Sequence, residues 1–410
     1  MTDVAAEPAT ERVWQTGRGA VLVDADGDEC LDLAAGTMTQ TIGHCHPHVV
    51  AAVQVQAAEL ENVHDDATPA RARVESLLRR LLPAHLDRLA FFSTGSEVVE
   101  AALRVVHAVA DPARRRVAAL RHGFHGKTRG ARSIVQWDVG TESPAASTFG
   151  YPAYCYRCPF GLSYPSCDLL CARLTVRQVL ERSDVAALVA EPVQGAAGVI
   201  VPPPGYWDVV SEGCAQSGVL LVADEVLTGG GRTGAFLASE TFGIEPDLVT
   251  LAKGIGSGYP VAALAARSSL LTDAVEARTG GFSATFAGSP VGLAAAAATL
   301  EVLARDDVIA RVPDLAAVMA DELRPLLGNP IVGEIRQVGL LCGIELVADR
   351  RTREPAPAVA AWVAGRAARL GTRVAATDHV IRLAPPLVID PDTLKEALAR
   401  LRRAISEASR

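Results

Sequence analysis

The stretch LLVADEVLTGGGRTG (220–234), with PDLVTLAKG (246–254) following it, decides the fold. Each carries an apolar run too short for a helix, 219–223 and 247–251. Each run stops at residues that can do chemistry: Asp224-Glu225 in one, Ala252-Lys253-Gly254 in the other. Working outward, 185–190 is another short apolar run and ends in Glu191. The run 89–92 ends in Ser93-Thr94-Gly95-Ser96-Glu97 and then a helical stretch, 96–110; 116–120 follows. The runs at 185–190 and 219–223 are continuously apolar, which is what strands buried on both faces look like. Short runs alternating with helical stretches predict an α/β fold with a mostly parallel central sheet in a large domain.

The flanks read differently. Residues 20–24, a Gly27-Asp28 turn and 30–33 form a hairpin signature, and a helix is expected over 48–60. An Ala-rich helix over 290–304 leads out of the central region. Beyond it come helices, two strand pairs around 331–347 and a last helix from 391. The expected organisation is an N-terminal segment (1–60) joining a smaller α+β domain, a large domain (61–300), and a C-terminal part (301–410) completing the smaller one, which therefore draws on both chain ends.

The chain has 410 residues, 49% hydrophobic and 21% charged, with net charge -8. No basic stripe interleaved with aromatics points to nucleic acid. No apolar run reaches the ~18 residues of a membrane span. The N-terminal stretch lacks the basic and apolar regions of a secretory leader. Eight cysteines are too few for a disulfide scaffold. A cytoplasmic location is expected.

In open α/β sheets, ligands bind at the carboxyl ends of the strands. Here that rim gathers a small Gly-containing turn at a helix start, which suits a phosphate, the carboxylates Glu191 and Asp224, and Lys253. Pyridoxal phosphate (PLP) needs this set: a lysine to form the Schiff base, a carboxylate to pair with the pyridine nitrogen, and a phosphate cradle.

The chain resembles the class III (ω-amino acid) family of PLP-dependent aminotransferases, of fold type I. The resemblance rests on GHCHPHVV (43–50), FFSTGSE (91–97), HGFHGKT (122–128), EPVQGAAG (191–198), LLVADEVLTGGGRTG (220–234), PDLVTLAKG (246–254), ATFAGSP (284–290) and IRLAPPL (381–387). By that resemblance Gly95 and Ser96 bind the phosphate, Phe124 stacks on the ring and Val226 packs on its other face. Asp224 pairs with the ring nitrogen and Lys253 is the catalytic Schiff-base lysine; Glu191 is a further cofactor-site residue. Thr285 reaches the phosphate of a neighbouring subunit, which implies a homodimer. Arg382 holds the α-carboxylate of an amino-acid donor, and Lys127 stands where an arginine holds a far carboxylate. The implied reaction moves an amino group from an amino acid or ω-amine to a 2-oxo acid. An amino-acid racemase or epimerase on the same scaffold is the alternative, since YCYRCPFG (154–161) also resembles the family branch containing both activities.

Other motifs carry less. Gly229 to Gly234 fits G-x-G-x-x-G, but no helix opens there. Gly126-Lys127-Thr128 is like the end of a phosphate loop whose first glycine is replaced by Arg121. His44, His46 and Cys45 read as a turn before a helix. Cys155-x2-Cys158 and Cys167-x3-Cys171 have zinc-like spacing; a packed Cys-rich loop is the reading adopted, with no metal expected. Against the 4-aminobutyrate aminotransferase pattern, Phe124 replaces a tyrosine, Lys127 an arginine, Ala196 a glutamate that pairs with the equivalent of Arg382, and Leu227 a glutamine.

Overall fold

In the computed structural model, which describes residues 12–136, 147–278, 281–305 and 307–410, the apolar runs meet in one seven-stranded sheet. From edge to edge its strands are Arg88–Phe92, Ala262–Ala266, Leu248–Leu251, Leu220–Asp224, Val185–Ala190, Arg116–Leu120 and Ser147–Gly150. The last five are mutually parallel. Ala262–Ala266 runs against both of its neighbours, so Arg88–Phe92 points the same way as the five. The strand ends carrying Ser93, Glu191, Asp224 and Lys253 therefore lie on one rim. The N-terminal stretch on which the leader reading rests falls mostly outside the described residues.

Burial explains the run pattern. Every residue of Val185–Ala190 is buried, because helices cover both faces of the sheet. Helix Gly95–Val109 presents Val98, Val99, Ala102 and Val106 to one face, against Val117, Ala119 and Val222. Helices Pro290–Arg305 and Pro69–Leu81 close the other, with Leu293, Ala296 and Leu78 in one core with Phe91, Val249 and Ala263. The T-x-x-E start of Gly95–Val109 is capped: Glu97 N–H donates to Thr94 Oγ1 at 3.2 Å, and the Glu97 carboxylate accepts from Ser93 N–H at 3.1 Å.

The two chain ends come together. The expected hairpin is present as Val21–Asp24 and Glu29–Asp32, extended by Trp14–Arg18. Thr372–Arg373, from far along the chain, joins it in parallel, with Thr372 opposite Leu31. The region around 331–347 supplies one strand pair, Val332–Val338 with Leu341–Asp349, rather than two. Its sheet is completed by Val380–Leu383 and Ala375–Thr377, because Leu341–Asp349 offers its free edge to Val380–Leu383. The closing helix Pro391–Ala408 buries Leu394, Leu398, Leu401 and Ile405. No described helix is long and apolar enough to cross a membrane.

Candidate active site

A cavity of about 500 Å³ opens at the rim of the large sheet, between it and the joined chain ends. Every residue that the sequence assigns to the cofactor or the substrate lines it except Thr285. One end is the start of helix Gly95–Val109, where first-turn N–H groups have no partner within the helix and favour an anion. Glycine suits position 95: a Cβ there would sit 2.9 Å from Val226 Cγ1, so that Val226 would have to shift. Ser96 Oγ accepts from the backbone N–H of Lys127 at 3.1 Å, tying the loop 122–128 to this turn.

Asp224 is 3% exposed and held from several sides. Its Oδ1 accepts from Val226 N–H at 3.1 Å and from Thr250 Oγ1 at 3.1 Å. Its Oδ2 pairs with His125 Nδ1 at 2.7 Å. Burial opposes a charge on His125, but the bond to Asp224 and its charge outweigh that, so the imidazole pKa stands above its ordinary value. His125 Nε2 is buried without a hydrogen-bond partner among the described residues. Glu191, also buried, accepts from Phe124 N–H and Gly195 N–H, both at 2.9 Å, and so fixes two cavity loops. Burial first, then the charge of Asp224, raises its pKa.

Lys253 follows the strand Leu248–Leu251 and lines the cavity, and no described residue accepts a hydrogen bond from its amine. Burial pulls its pKa down, helped by the charge of Arg382 and opposed by Glu191 and Asp224. The turn around it depends on the neighbouring glycine loop. A Cβ on Gly254 would lie 2.0 Å from the Gly229 carbonyl oxygen, and Gly230 has φ +90° over the Gly254 backbone. The GGGRTG run is therefore packing for the lysine turn, and Arg232 within it is buried on the carbonyls of Leu340 and Pro385.

Two guanidiniums stand on the other wall. Arg382 donates to the Gly195 carbonyl at 3.3 Å and keeps a buried Nε without a partner. Arg373 donates through Nη1 to Asp32 Oδ1 at 2.8 Å and to the Gly36 carbonyl at 2.7 Å. Asp32 is wholly buried; burial works against its charge, yet bonds from His44, Arg373 and Gly36 N–H hold its pKa below the ordinary range. Sequence reasoning missed His125, Arg373 and Asp32. His125 stood inside a quoted motif, so its distance from a carboxylate in space was the missing signal. Arg373 and Asp32 meet only through the parallel pairing of strands at opposite chain ends.

Thr285 is exposed and does not line its own chain's cavity, and its carbonyl accepts from Asn62 Nδ2 at 3.0 Å. The thiols of Cys155, Cys158, Cys167 and Cys171 line one small separate pocket. Among the described residues no group of three or more His, Cys, Asp or Glu is arranged to hold a metal ion.

These residues fit PLP. An anion cradle, a clamped carboxylate and a buried amine without an acceptor surround one space, with Phe124 and Val226 on its walls. The chain matches the model of the aminotransferase class-III family over residues 3–405. It is 34% identical to the acetylornithine aminotransferase of Methanosarcina mazei, over 96% of this chain and 91% of that protein. It is 33% identical to the leucine/methionine racemase of Thermococcus litoralis, over 98% of this chain and 90% of that protein. The crystal structure of an amine transaminase from an uncultivated Pseudomonas species, in PLP-bound form, superposes with a TM-score of 0.90 at 33% identity, covering 100% of this chain and 97% of that one. With the match running almost from end to end, this chain belongs to the class-III aminotransferases, PLP-dependent enzymes of fold type I.

Proposed function

We propose that the chain carries out its amino-group transfer, from an amino acid or ω-amine to a 2-oxo acid, through Lys253 as both the anchor of the cofactor and the proton carrier. The observation that carries this is a buried lysine amine, with a lowered pKa and no hydrogen-bond acceptor among the described residues, in the same cavity as the Asp224–His125 pair. PLP supplies an electron sink that makes the Cα–H bond of an attached amine acidic. Gly95 and Ser96 bind its phosphate at the helix start, and Phe124 and Val226 take the two ring faces. Asp224, oriented by His125, Val226 N–H and Thr250, pairs with the ring nitrogen. Glu191 holds the loops bearing Phe124 and Gly195 in place. Lys253, whose charged form burial disfavours, would take the proton from the substrate Cα and return it at the carbon on the far side of the substrate nitrogen. Arg382 holds the α-carboxylate with donors that no carboxylate among the described residues occupies.

Thr285, exposed and off its own cavity, supports a homodimer in which it serves the neighbouring site. Eight free thiols suit a reducing, cytoplasmic setting. The likeness to a racemase gives a second reading, in which Lys253 returns the proton to Cα. Incubating the PLP-loaded enzyme with an amino-acid donor alone separates the two. Transfer releases about one equivalent of 2-oxo acid per site; racemisation releases none and scrambles the donor's configuration.

A further inference from the structure

We infer that Arg373 is a specificity-determining residue that binds a second carboxylate of the substrate, at a position to which the family resemblance assigns no role. This rests on the reading above for the reaction at Lys253, but not for the binding itself.

Besides Lys253, three cationic side chains line the cavity: Lys127, Arg373 and Arg382. The two carboxylates that also line it are already engaged. Asp224 is held by His125, Thr250 and a backbone N–H. Glu191 is held by two backbone N–H groups. Neither pairs with a guanidinium. Arg373 is gripped through one nitrogen only, Nη1, by Asp32 and the Gly36 carbonyl. No described residue accepts from its Nε or Nη2. Asp32 is itself locked, accepting from Ala34 N–H at 3.0 Å, Gly36 N–H at 2.7 Å and His44 Nε2 at 2.8 Å. A guanidinium fixed at one nitrogen and free at the others is preorganised for a carboxylate, because its ordering cost is met before the ligand arrives.

Its position fits a second anchor. Arg373 precedes by two residues Ala375, which is the strand partner of Arg382, and both line the cavity. Arg373 thus ends a strand of the N-terminal sheet just before the chain enters the strand that pairs with that of Arg382, and both guanidinium-bearing residues line the cavity. Lys127 sits elsewhere: its backbone N–H lies on Ser96, at the helix start assigned to the phosphate. A ligand with one carboxylate on Arg382 can place another on Arg373 without competing for the phosphate cradle. Asp32 offsets part of the Arg373 charge, so the gain over a monocarboxylate is that of one charged hydrogen-bonded contact, about ten- to a hundredfold.

The test uses ligands that cannot react. The PLP-loaded enzyme is titrated calorimetrically with glutarate and with pentanoate, which match in length but differ by one carboxylate. The wild type binds glutarate at least about tenfold more tightly. Arg373→Met collapses that ratio by about tenfold or more, and Arg373→Lys, which keeps the charge beside Asp32 but loses the fork, lies between. Equal binding of the two ligands by the wild type overturns the inference, whether or not the variants fold. So does a ratio that survives Arg373→Met and is erased by Lys127→Met. Since neither ligand has an amine or an oxo group, the outcome is independent of whether Lys253 transfers an amine.

Discussion

At the scale of single residues, the contact that matters most beyond the lysine is the 2.7 Å pair between His125 Nδ1 and Asp224 Oδ2. It fixes which way the carboxylate faces. His125→Asn shortens the side chain and so weakens or loses the bond to the Asp224 carboxylate. We expect kcat to fall about ten- to a hundredfold, the worth of a hydrogen bond to a charged group, with cofactor still bound. Steady-state kinetics beside a cofactor absorbance titration checks this; an unchanged kcat contradicts it. The sequence was uneven at this scale. Lys253, Asp224 and Glu191 were legible because each ends a short apolar run, and strand ends in such sheets face the ligand. His125 had no such marker, lying in a loop without periodicity. Arg373 was not legible at all, because its two-residue strand gains meaning only beside Glu29–Asp32.

At the scale of elements, the strand Leu341–Asp349 carries a wholly buried carboxylate, Glu345. It accepts from Arg336, Arg157, Tyr154 and His379, while Arg336 also donates to the carbonyls of Gly198 and Val199. The cluster thus fastens the smaller sheet to the loop that carries Gly195 and Ala196 past the cavity. Burial raises the Glu345 pKa, but the bond from His379 and the charge of Arg336 outweigh it and bring it to about 2. A carboxylate depressed in the folded state contributes stability that is fully present above its ordinary value of 4.5 and is lost as pH falls through about 2. Glu345→Gln should destabilise the fold by about 3 kcal/mol near neutral pH, because it leaves buried cations without their anion. It should also flatten the acid limb of the stability curve, as measured by urea unfolding across pH. Equal acid sensitivity in the variant contradicts this. The parallel strands were readable as continuous apolar runs, whereas Ala262–Ala266 was not. Five residues reading AALAA hold no β-branched or aromatic side chain, and only the sheet around them imposes the extended form. The pairing of Leu341–Asp349 with Val380–Leu383 was likewise a matter of topology.

At the scale of the whole molecule, an exposed apolar side chain stands beside the site. Phe286 is 65% exposed, beside Thr285, and its carbonyl accepts from Ser93 Oγ at 3.0 Å, next to the proposed phosphate cradle. An exposed large apolar side chain beside a functional turn suits burial against a second copy. We expect sedimentation at twice the 42.9 kDa of the chain. Thr285→Ala should weaken cofactor binding by about tenfold while leaving that mass intact. A monomer with full activity contradicts the shared site. The overall architecture was legible from the alternation of runs and helices, because burial on both faces leaves a plain compositional mark. The meeting of the two chain ends depended on pairings between residues hundreds of positions apart, which no local pattern encodes.

The central claim, that Lys253 holds the cofactor and carries the proton, is tested most directly by borohydride reduction of the PLP-loaded enzyme followed by peptide mass spectrometry. The account predicts a stable cofactor adduct on the peptide containing Lys253, and neither adduct nor turnover in Lys253→Ala. An adduct on a different lysine, or turnover that persists in Lys253→Ala, contradicts it.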